Sequence, residues 1–151
     1  MHPTALRFTT RAAEAGLNVS VLELEDSTRT AQEAAAAVGC DLGQIIKSVI
    51  LVDADGPLLV LCAGDRRIDL DRLGNGAEMA RGRYVREVTG YAIGGVPPMG
   101  HDQPLRTVVD SSLQRFDTVW CAAGTPKSLF GAPLSDLLAA IPGHRVADIS
   151  I

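Results

Sequence analysis

Lys47 has the clearest chemical implication in this 151-residue sequence, because it lies within a run of apolar residues. Residues 45–52 otherwise consist of Ile, Ser, Val and Leu, which is typical of a β-strand buried on both faces. An ammonium in such a strand must reach water, pair with another group or contact an anionic ligand. Strand alternation puts Lys47 on the same face as Ile45, Val49 and Leu51, so we expect it to point into an enclosed space. The only other lysine, Lys127, stands against twelve arginines.

A segment rich in glycine and proline, residues 89–101, could form a binding loop. Gly94 and Gly95 allow the main chain to adopt positive φ and to approach a ligand closely. Pro97 and Pro98 have few conformations to lose and can form a rigid wall. Such a loop could present backbone groups to a ligand, although an ordinary hairpin connection explains the same composition. The glycine spacing matches neither the dinucleotide-binding fingerprint nor the P-loop.

Two further features near these residues could contribute to a site. Gly124, in the turn of residues 122–126, follows a predicted strand and could allow close approach of a ligand. A simple strand-ending turn is the alternative explanation. His101 follows the glycine loop and could titrate near neutral pH, although a lone loop histidine is more often solvated or a capping residue.

Other chemistries find little support. Ser111 and Ser112 lie outside any nucleophile-elbow motif and resemble a helix-capping turn. The three cysteines have no metal-ligand spacing and are predicted to be small buried hydrophobes in a reducing cytoplasm. Because the three histidines are scattered as well, we predict no metal site and no cofactor. The segment 65–67 could bind an anion, but a solvated loop with salt bridges explains it better.

Composition indicates one globular domain over residues 1–151. The chain is 46% hydrophobic and 21% charged, and its length suffices to bury a substantial core. A net charge of −4 argues against non-specific nucleic-acid binding but leaves room for a local anion site. No signal peptide and no apolar stretch of membrane-spanning length is recognised, so we expect a cytoplasmic protein without a membrane partner. The oligomeric state is not predictable from these features.

The predicted elements form an α/β or α+β fold with more strand than helix at its centre. Several hairpin-like connections argue against a doubly wound parallel sheet. Helices are predicted at residues 3–16, 31–38, 69–73, 76–80 and 133–140. Strands are predicted at residues 19–24, 44–52, 58–62, 84–88, 105–109, 118–122 and 145–149.

Four blocks of the sequence together resemble one protein family. They are Val38-Gly-Cys with Gln44-Ile-Ile-Lys-Ser-Val-Ile-Leu51, Gly64–Asp69, Gly90–His101 and Val119–Pro126. Their order resembles the YbaK/EbsC family of trans-acting aminoacyl-tRNA deacylases, which is related to the editing insertion of bacterial prolyl-tRNA synthetases. The resemblance extends from about residue 3 to residue 150. It implies a compact domain with a mixed, partly barrel-like sheet surrounded by helices.

The resemblance also implies a reaction, namely hydrolysis of the ester that joins a mischarged amino acid to the 3′-terminal adenosine of tRNA. Lys47 would contact the phosphate near that adenosine, while backbone groups and the substrate's own 2′-hydroxyl would orient water. Lys47 is therefore assigned a catalytic role together with the loop glycines Gly94 and Gly95. The residues assigned to substrate binding are Ser48, Val96, Pro97, Gly100, His101, Gly124, Thr125 and Pro126.

The implied partner is the acceptor end of an aminoacyl-tRNA, with a prolyl-tRNA synthetase as a second candidate. The charged stretch Arg66–Arg86 and Lys127 are candidates for acceptor-stem contacts. Several family branches carry threonine or asparagine where this chain has Ser48, and a tyrosine found in some members has no counterpart in residues 19–24. The edited amino acid therefore stays open among alanine, cysteine, serine or another small residue.

Two alternatives remain open at this stage. One is a module that binds aminoacyl-tRNA or a synthetase surface without catalysis, because no side chain is a convincing general base. The other is a hydrolase of small-molecule esters or nucleotides, which would act without tRNA.

Overall fold

The apolar run around Lys47 forms a long strand of the larger of two β-sheets. The computed structural model describes residues 1–28 and 30–151. Within those residues the α-helices are α1 (Pro3–Glu14), α2 (Ala31–Val38), α3 (Leu70–Leu73), α4 (Gly82–Thr89) and α5 (Leu134–Ala139). The strands are β1 (Leu22–Glu23), β2 (Ile46–Asp53), β3 (Gly56–Ala63), β4 (Glu78–Met79), β5 (Arg106–Asp110), β6 (Thr118–Ala122), β7 (Ser128–Pro133) and β8 (Arg145–Ala147). Short 3₁₀ helices occupy Leu42–Gln44 and Ser111–Arg115.

The larger sheet is mixed, which confirms the predicted fold class. Its strand order is β4-β2-β3-β5-β8, and the smaller sheet has the order β1-β7-β6. Strands β2 and β3 form an antiparallel hairpin, whereas β5 and β8 continue the sheet in parallel. An isolated bridge between Ile45 and Trp120 brings the start of β2 next to β6 of the smaller sheet. The residues just before Lys47 therefore lie where the two sheets meet.

Strand β2 is buried on both faces, as its composition predicts. Ile46 and Ile50 belong to the main core, which lies between the sheets and most of the helices. Val49 and Leu51 point the other way, into a smaller apolar cluster. Alternation assigns Lys47 to the face of this smaller cluster. Its side chain consequently shares a face with Cys62, its partner across the β2–β3 ladder.

Several predicted helices have the expected ends. The backbone N–H of Glu33 donates to the hydroxyl of Thr30 over 3.1 Å, which caps the N-terminus of α2. Gly39 ends this helix with φ of +72°. The predictions at residues 3–16, 69–73 and 133–140 correspond to α1, α3 and α5, with ends that differ by up to two residues. Among the described residues, no helix is both long and apolar enough to cross a membrane.

The strand predicted at residues 84–88 is wrong, because this segment lies within helix α4. Valine and tyrosine favour strands, and five residues are too few to reveal the period. Val85 and Val88 are buried three positions apart, whereas Arg86 and Glu87 are exposed. That spacing is the helical period, and packing of the apolar face on the main core determines the outcome.

Two other predictions near the sheet edges need correction. The helix predicted at residues 76–80 is wrong, because Glu78 and Met79 pair with β2 as a short edge strand. Strand β7 was missed, because Gly131 and Pro133 disfavour strands. A methyl group at Gly131 would lie 3.0 Å from the Trp120 ring, so the glycine makes room for the indole across the ladder. The predicted strand 19–24 is reduced to the two residues of β1.

Candidate functional site

A cavity of about 230 Å³ opens where the start of β2 meets the glycine-rich loop. Four of the predicted site residues line it: Lys47, Ser48, Gly94 and Val96. Ile93, whose side chain is 60% exposed, lies at its edge next to exposed Gly94. The remaining described lining residues are Thr28, Thr30, Ala31, Ile45, Ile46, Ala122 and Leu129. The described lining is thus mostly apolar, with one charged residue and three hydroxyl groups.

The Lys47 ammonium is held by a backbone carbonyl. Its Nζ donates to the carbonyl oxygen of Arg66 over 2.6 Å, in the turn after β3. No carboxylate among the described residues forms a salt bridge with it. Since an ammonium has three N–H donors, this contact leaves two for a ligand. The half-buried lysine is therefore oriented by the protein while its positive charge stays unneutralised.

The turn that holds Lys47 is fixed by a buried polar network. The Arg66 guanidinium donates from Nε to Ser150 Oγ and from Nη2 to Ser150 O, each over 3.1 Å. The Ser150 hydroxyl donates in turn to Asp110 Oδ1 over 2.9 Å. Asp110 is fully buried and also accepts the backbone N–H groups of Ala63 and Ser112. Arg66 is thereby occupied within the protein, which removes it from the candidate acceptor-stem contacts.

Burial would raise the pKa of Asp110, but hydrogen bonds from Ser112, Ala63 and Ser150 outweigh it and leave the pKa below its usual value. A carboxyl whose pKa is lower in the folded state stabilises the fold above its unfolded pKa, and this contribution is lost as the pH falls toward the folded pKa. We expect Asp110→Asn to reduce the free energy of unfolding at pH 7 by about 2–3 kcal/mol, since an amide would face three donors. The difference from wild type should shrink below about pH 4. Urea unfolding at several pH values checks this, and a constant difference down to pH 3 would contradict it.

The glycine loop and the Ala-Gly turn pack directly on each other. A methyl group at Gly95 would lie 2.8 Å from both Gly124 O and Thr125 Cα, so only glycine fits there. Gly94 has φ of +91° and faces the Pro126 ring. The backbone N–H and hydroxyl of Thr28 both donate to Pro126 O, over 2.8 and 3.0 Å. The turn of Gly124, Thr125 and Pro126 therefore supports the cavity wall from behind and does not line the cavity.

Two residues of the loop that line the cavity have unpaired backbone donors. The N–H of Gly95 donates to Ala92 O over 3.0 Å and is used within the loop itself. Gly94 and Val96 are both lining residues, and their N–H groups have no acceptor within residues 1–28 and 30–151. Two such donors in one wall resemble the arrangement that stabilises an oxyanion. Of the two predicted loop glycines, Gly94 thus provides a donor and Gly95 provides close packing.

Ser48 contributes a hydroxyl that lacks a partner. Its Oγ is buried and forms no hydrogen bond within the described residues. A buried hydroxyl without a partner is costly unless a ligand or water satisfies it. Ser48 lines the cavity next to Lys47, but its Oγ is shielded from the cavity, so the side chain would have to rotate before the hydroxyl could contact a ligand.

Two predicted residues lie elsewhere. Gly100 and His101 line a second cavity with Ala140 and Ile141, and Gly100 packs on Phe8 of α1. His101 Nε2 lies 2.8 Å from Pro97 O, and burial lowers the pKa of this imidazole. Their contribution is to the shape of the glycine loop. Pro97 is buried and does not line the first cavity either.

Part of the cavity wall was not predicted from the sequence. Thr28 and Thr30 line the cavity, and neither was among the predicted site residues. The polar cluster before α2 was the available signal. Ile93 was also missed, and an isoleucine between alanine and glycine in a loop could have indicated an exposed apolar contact.

Neither the cysteines nor the segment 65–67 supplies another reactive group. Cys40, Cys62 and Cys121 are all free thiols, and burial raises the pKa of Cys62 to about 11. Cys121 is buried, as predicted, and burial also raises the pKa of its thiol. Asp65 forms a two-point ion pair with Arg115, over 2.8 and 2.9 Å. The described residues contain no group of three or more His, Cys, Asp or Glu side chains that could hold a metal ion.

Comparison with known proteins gives the fold a close counterpart. A crystal structure described as a candidate trans-editing enzyme for prolyl-tRNA synthetase superposes with a TM-score of 0.94 at 43% identity. The superposition covers 100% of this chain and 99% of that one. The uncharacterised protein YwhH of Bacillus subtilis is 37% identical over 113 residues, which is 72% of each chain. EbsC of Enterococcus faecalis, a candidate Cys-tRNA(Pro)/Cys-tRNA(Cys) deacylase, is 26% identical over 101 residues, which cover 63% of this chain and 62% of EbsC.

The mixed sheet and its cavity define the class of YbaK-like α/β proteins. The profile of the aminoacyl-tRNA editing domain matches residues 25–140, which include all of the described cavity lining. The chain therefore belongs to the aminoacyl-tRNA editing domain family. This confirms the predicted resemblance and the predicted enzyme class, an aminoacyl-tRNA deacylase.

Proposed function

We propose that this protein hydrolyses the ester of a mischarged tRNA(Pro) that carries a small amino acid such as cysteine, alanine or serine. The supporting observation is that Lys47, Gly94 and Val96 border one cavity, and that the N–H groups of Gly94 and Val96 have no acceptor among the described residues. Its volume of about 230 Å³ lies below the ~300–1,000 Å³ typical of sites for drug-sized ligands. The tRNA(Pro) part of the proposal is supported by the candidate activities of EbsC and of the crystallographic counterpart.

In the proposed reaction, the Lys47 ammonium binds a phosphate next to the terminal adenosine. A point charge with two free N–H donors suits a phosphate oxygen. This contact would place the ester carbonyl at the wall formed by Gly94 and Val96. The two N–H groups would then stabilise the negative charge that develops on the carbonyl oxygen.

Water attacks the ester carbon, and the bond between that carbon and the ribose oxygen breaks. The products are a free amino acid and a tRNA with an intact 3′ end. The described cavity lining contains neither a carboxylate nor an imidazole, so the proton has no protein acceptor there. We propose that the neighbouring 2′-hydroxyl of the substrate relays this proton from the water to the leaving ribose oxygen, which becomes the free 3′-hydroxyl.

The same lack of a general base favours one alternative, a module that binds aminoacyl-tRNA without cleaving it. A panel of mischarged tRNAs, labelled in the amino acid, separates the two functions. The proposal expects loss of label faster than the spontaneous rate for at least one small amino acid on tRNA(Pro), with cognate Pro-tRNA(Pro) spared. Tight binding without ester loss would favour the alternative. Cleavage of free aminoacyl esters at the same rate would indicate a small-molecule esterase.

The acceptor stem would bind along helix α4. A methyl group at Gly82 would lie 3.3 Å from Ile93 Cδ1, so the start of α4 adjoins the edge of the cavity. Arg81, Arg83 and Arg86 are exposed there. Arg83 pairs with Glu87, whereas Arg81 and Arg86 have no ion pair with any described residue. In a protein of net charge −4, this local positive surface fits the phosphates of a duplex.

We expect the double substitution Arg81→Ala with Arg86→Ala to weaken tRNA binding by about tenfold at low salt. The slope of log K against log salt should fall by about 2, one for each lost phosphate contact. Filter binding or fluorescence anisotropy over a salt series measures both. Arg145→Ala is the matched control, since this exposed arginine lies in β8 at the other edge of the sheet. An equal effect in the control, or an unchanged slope in the double variant, would contradict the assignment.

A further inference from the structure

We propose that Ser150 is a positioning residue for Lys47, which it reaches through Arg66; this proposal rests on the proposed function of Lys47. The C-terminal segment lies in neither the loop nor the strand that lines the cavity. Its serine nevertheless determines where the carbonyl that holds the ammonium is placed. The contacts form one continuous chain from Asp110 to Lys47.

The first link ties the C-terminal segment to the core. Ser150 is fully buried, and its hydroxyl donates to Asp110 Oδ1 over 2.9 Å. The other carboxylate oxygen of Asp110 accepts the N–H of Ala63, the last residue of β3, over 3.1 Å. The Asp110 carboxylate therefore holds the end of β3 and Ser150 at the same time.

The second link sets the conformation of the turn after β3. Ser150 Oγ and O accept the two N–H groups on one edge of the Arg66 guanidinium. The next residue, Arg67, forms two backbone hydrogen bonds with Ile151. Its N–H donates to Ile151 O over 2.9 Å, and its carbonyl accepts from the N–H of Ile151 over 2.8 Å. Arg66 is thus held by its side chain and by the backbone of the next residue. Its carbonyl has little freedom to move away from Lys47.

The third link is the contact to the lysine. Arg66 O accepts from Lys47 Nζ over 2.6 Å. A flexible four-carbon side chain has many rotamers, and a catalytic group must be held within about 0.5 Å of its working position. A carbonyl fixed from the far side of the turn meets that need without neutralising the charge. Without Ser150 Oγ, Arg66 keeps one of its two contacts and the carbonyl becomes less well fixed.

The chain offers a direct reporter, because Lys47 and Lys127 are its only lysines. Labelling of lysine side chains with ¹³C and ¹⁵N gives one Cε signal for each, and Lys127→Arg assigns them. In Ser150→Ala we expect the Lys47 signal to shift and to broaden while the Lys127 signal stays in place. Arg66→Met, a change at a half-buried position, should shift the Lys47 signal in the same way if Ser150→Ala folds poorly. Folded variants with an unchanged Lys47 signal would overturn the proposal.

Deacylation rates of Ser150 variants provide a second test of the proposal. Ser150→Ala should slow deacylation by about fivefold, the value of one hydrogen bond, and Ser150→Thr, which keeps the hydroxyl, should recover most of the rate. In a Lys47→Ala background Ser150→Ala should cause no further loss, because both substitutions act on the same contact. Multiplied losses would mean that Ser150 acts on the fold generally, and would overturn the proposal. If wild type cleaves no mischarged tRNA, the proposed function fails, and the lysine signals still decide the role of Ser150.

Discussion

Replacement of Lys47 by alanine is expected to lower kcat/KM for the mischarged tRNA by about a hundredfold or more. The phosphate would lose its charged contact, and the ester would no longer be held at the wall of Gly94 and Val96. Stability should fall by only about 1 kcal/mol, the value of the hydrogen bond to Arg66 O. Single-turnover deacylation and urea unfolding of the same preparation measure the two effects.

The chain provides a matched control for this experiment in Lys127. This lysine is exposed on the turn behind the glycine loop, where it does not line the cavity. Lys127→Ala removes the same charge and should change the rate by no more than a few-fold. Lys47→Arg should retain part of the activity, because a guanidinium keeps the charge but has a different shape. Wild-type rates in Lys47→Ala would show that the ammonium makes no contribution.

Replacement of Gly95 by alanine is expected to abolish most activity and to destabilise the protein as well. The added methyl group would lie 2.8 Å from the backbone of Gly124 and Thr125. Backbone atoms cannot relieve such a clash by a rotamer change, as a flexible side chain can. The loop must therefore move, and the N–H groups of Gly94 and Val96 move with it. A displacement of about 1 Å can cost a hundredfold in rate, and overpacking of this kind costs about 1–3 kcal/mol.

Substitutions at two other glycines distinguish the packing effect at Gly95 from the backbone strain of a positive φ. Gly94→Ala places its methyl group 3.5 Å from the Pro126 ring, an ordinary contact, so its cost should come from φ of +91° alone. Gly143 has a similar φ of +79°, and a methyl group there would meet open space. It lies 48 residues after Gly95 in the sequence. We expect Gly143→Ala to lose stability without losing activity. A Gly95→Ala variant that behaves like Gly143→Ala would contradict the packing argument.

The sequence contained enough information for the main parts of the site. A lysine in a strand buried on both faces must be explained by a partner or a ligand, and this reasoning identified Lys47 without a structure. The pair Gly94-Gly95 was also recognisable, because adjacent glycines before two prolines indicate a constrained loop. Both features depend on local patterns of a few residues.

The parts that were not predicted depend on contacts between distant residues. Nothing in the pattern around Lys47 indicates that its partner is the backbone carbonyl of Arg66, since a carbonyl is present at every position. The packing of Gly95 on Gly124 and Thr125 likewise requires the three-dimensional arrangement. Part of helix α4 was predicted as a strand because Tyr84, Val85 and Val88 favour strands, while the packing that makes it a helix involves the main core. Local patterns indicated residues that line the cavity, and tertiary packing determined their partners.

Single-turnover deacylation is the most direct test of whether this protein cleaves the ester of a mischarged tRNA. Enzyme in excess is mixed with tRNA(Pro) that carries labelled cysteine, alanine or serine, and the ester remaining is followed against a reaction without enzyme. We expect rapid loss of at least one of the three with wild type, and a rate about a hundredfold lower, but still above the spontaneous one, with Lys47→Ala. Folded wild-type protein that leaves all three esters at the spontaneous rate would contradict the proposed function.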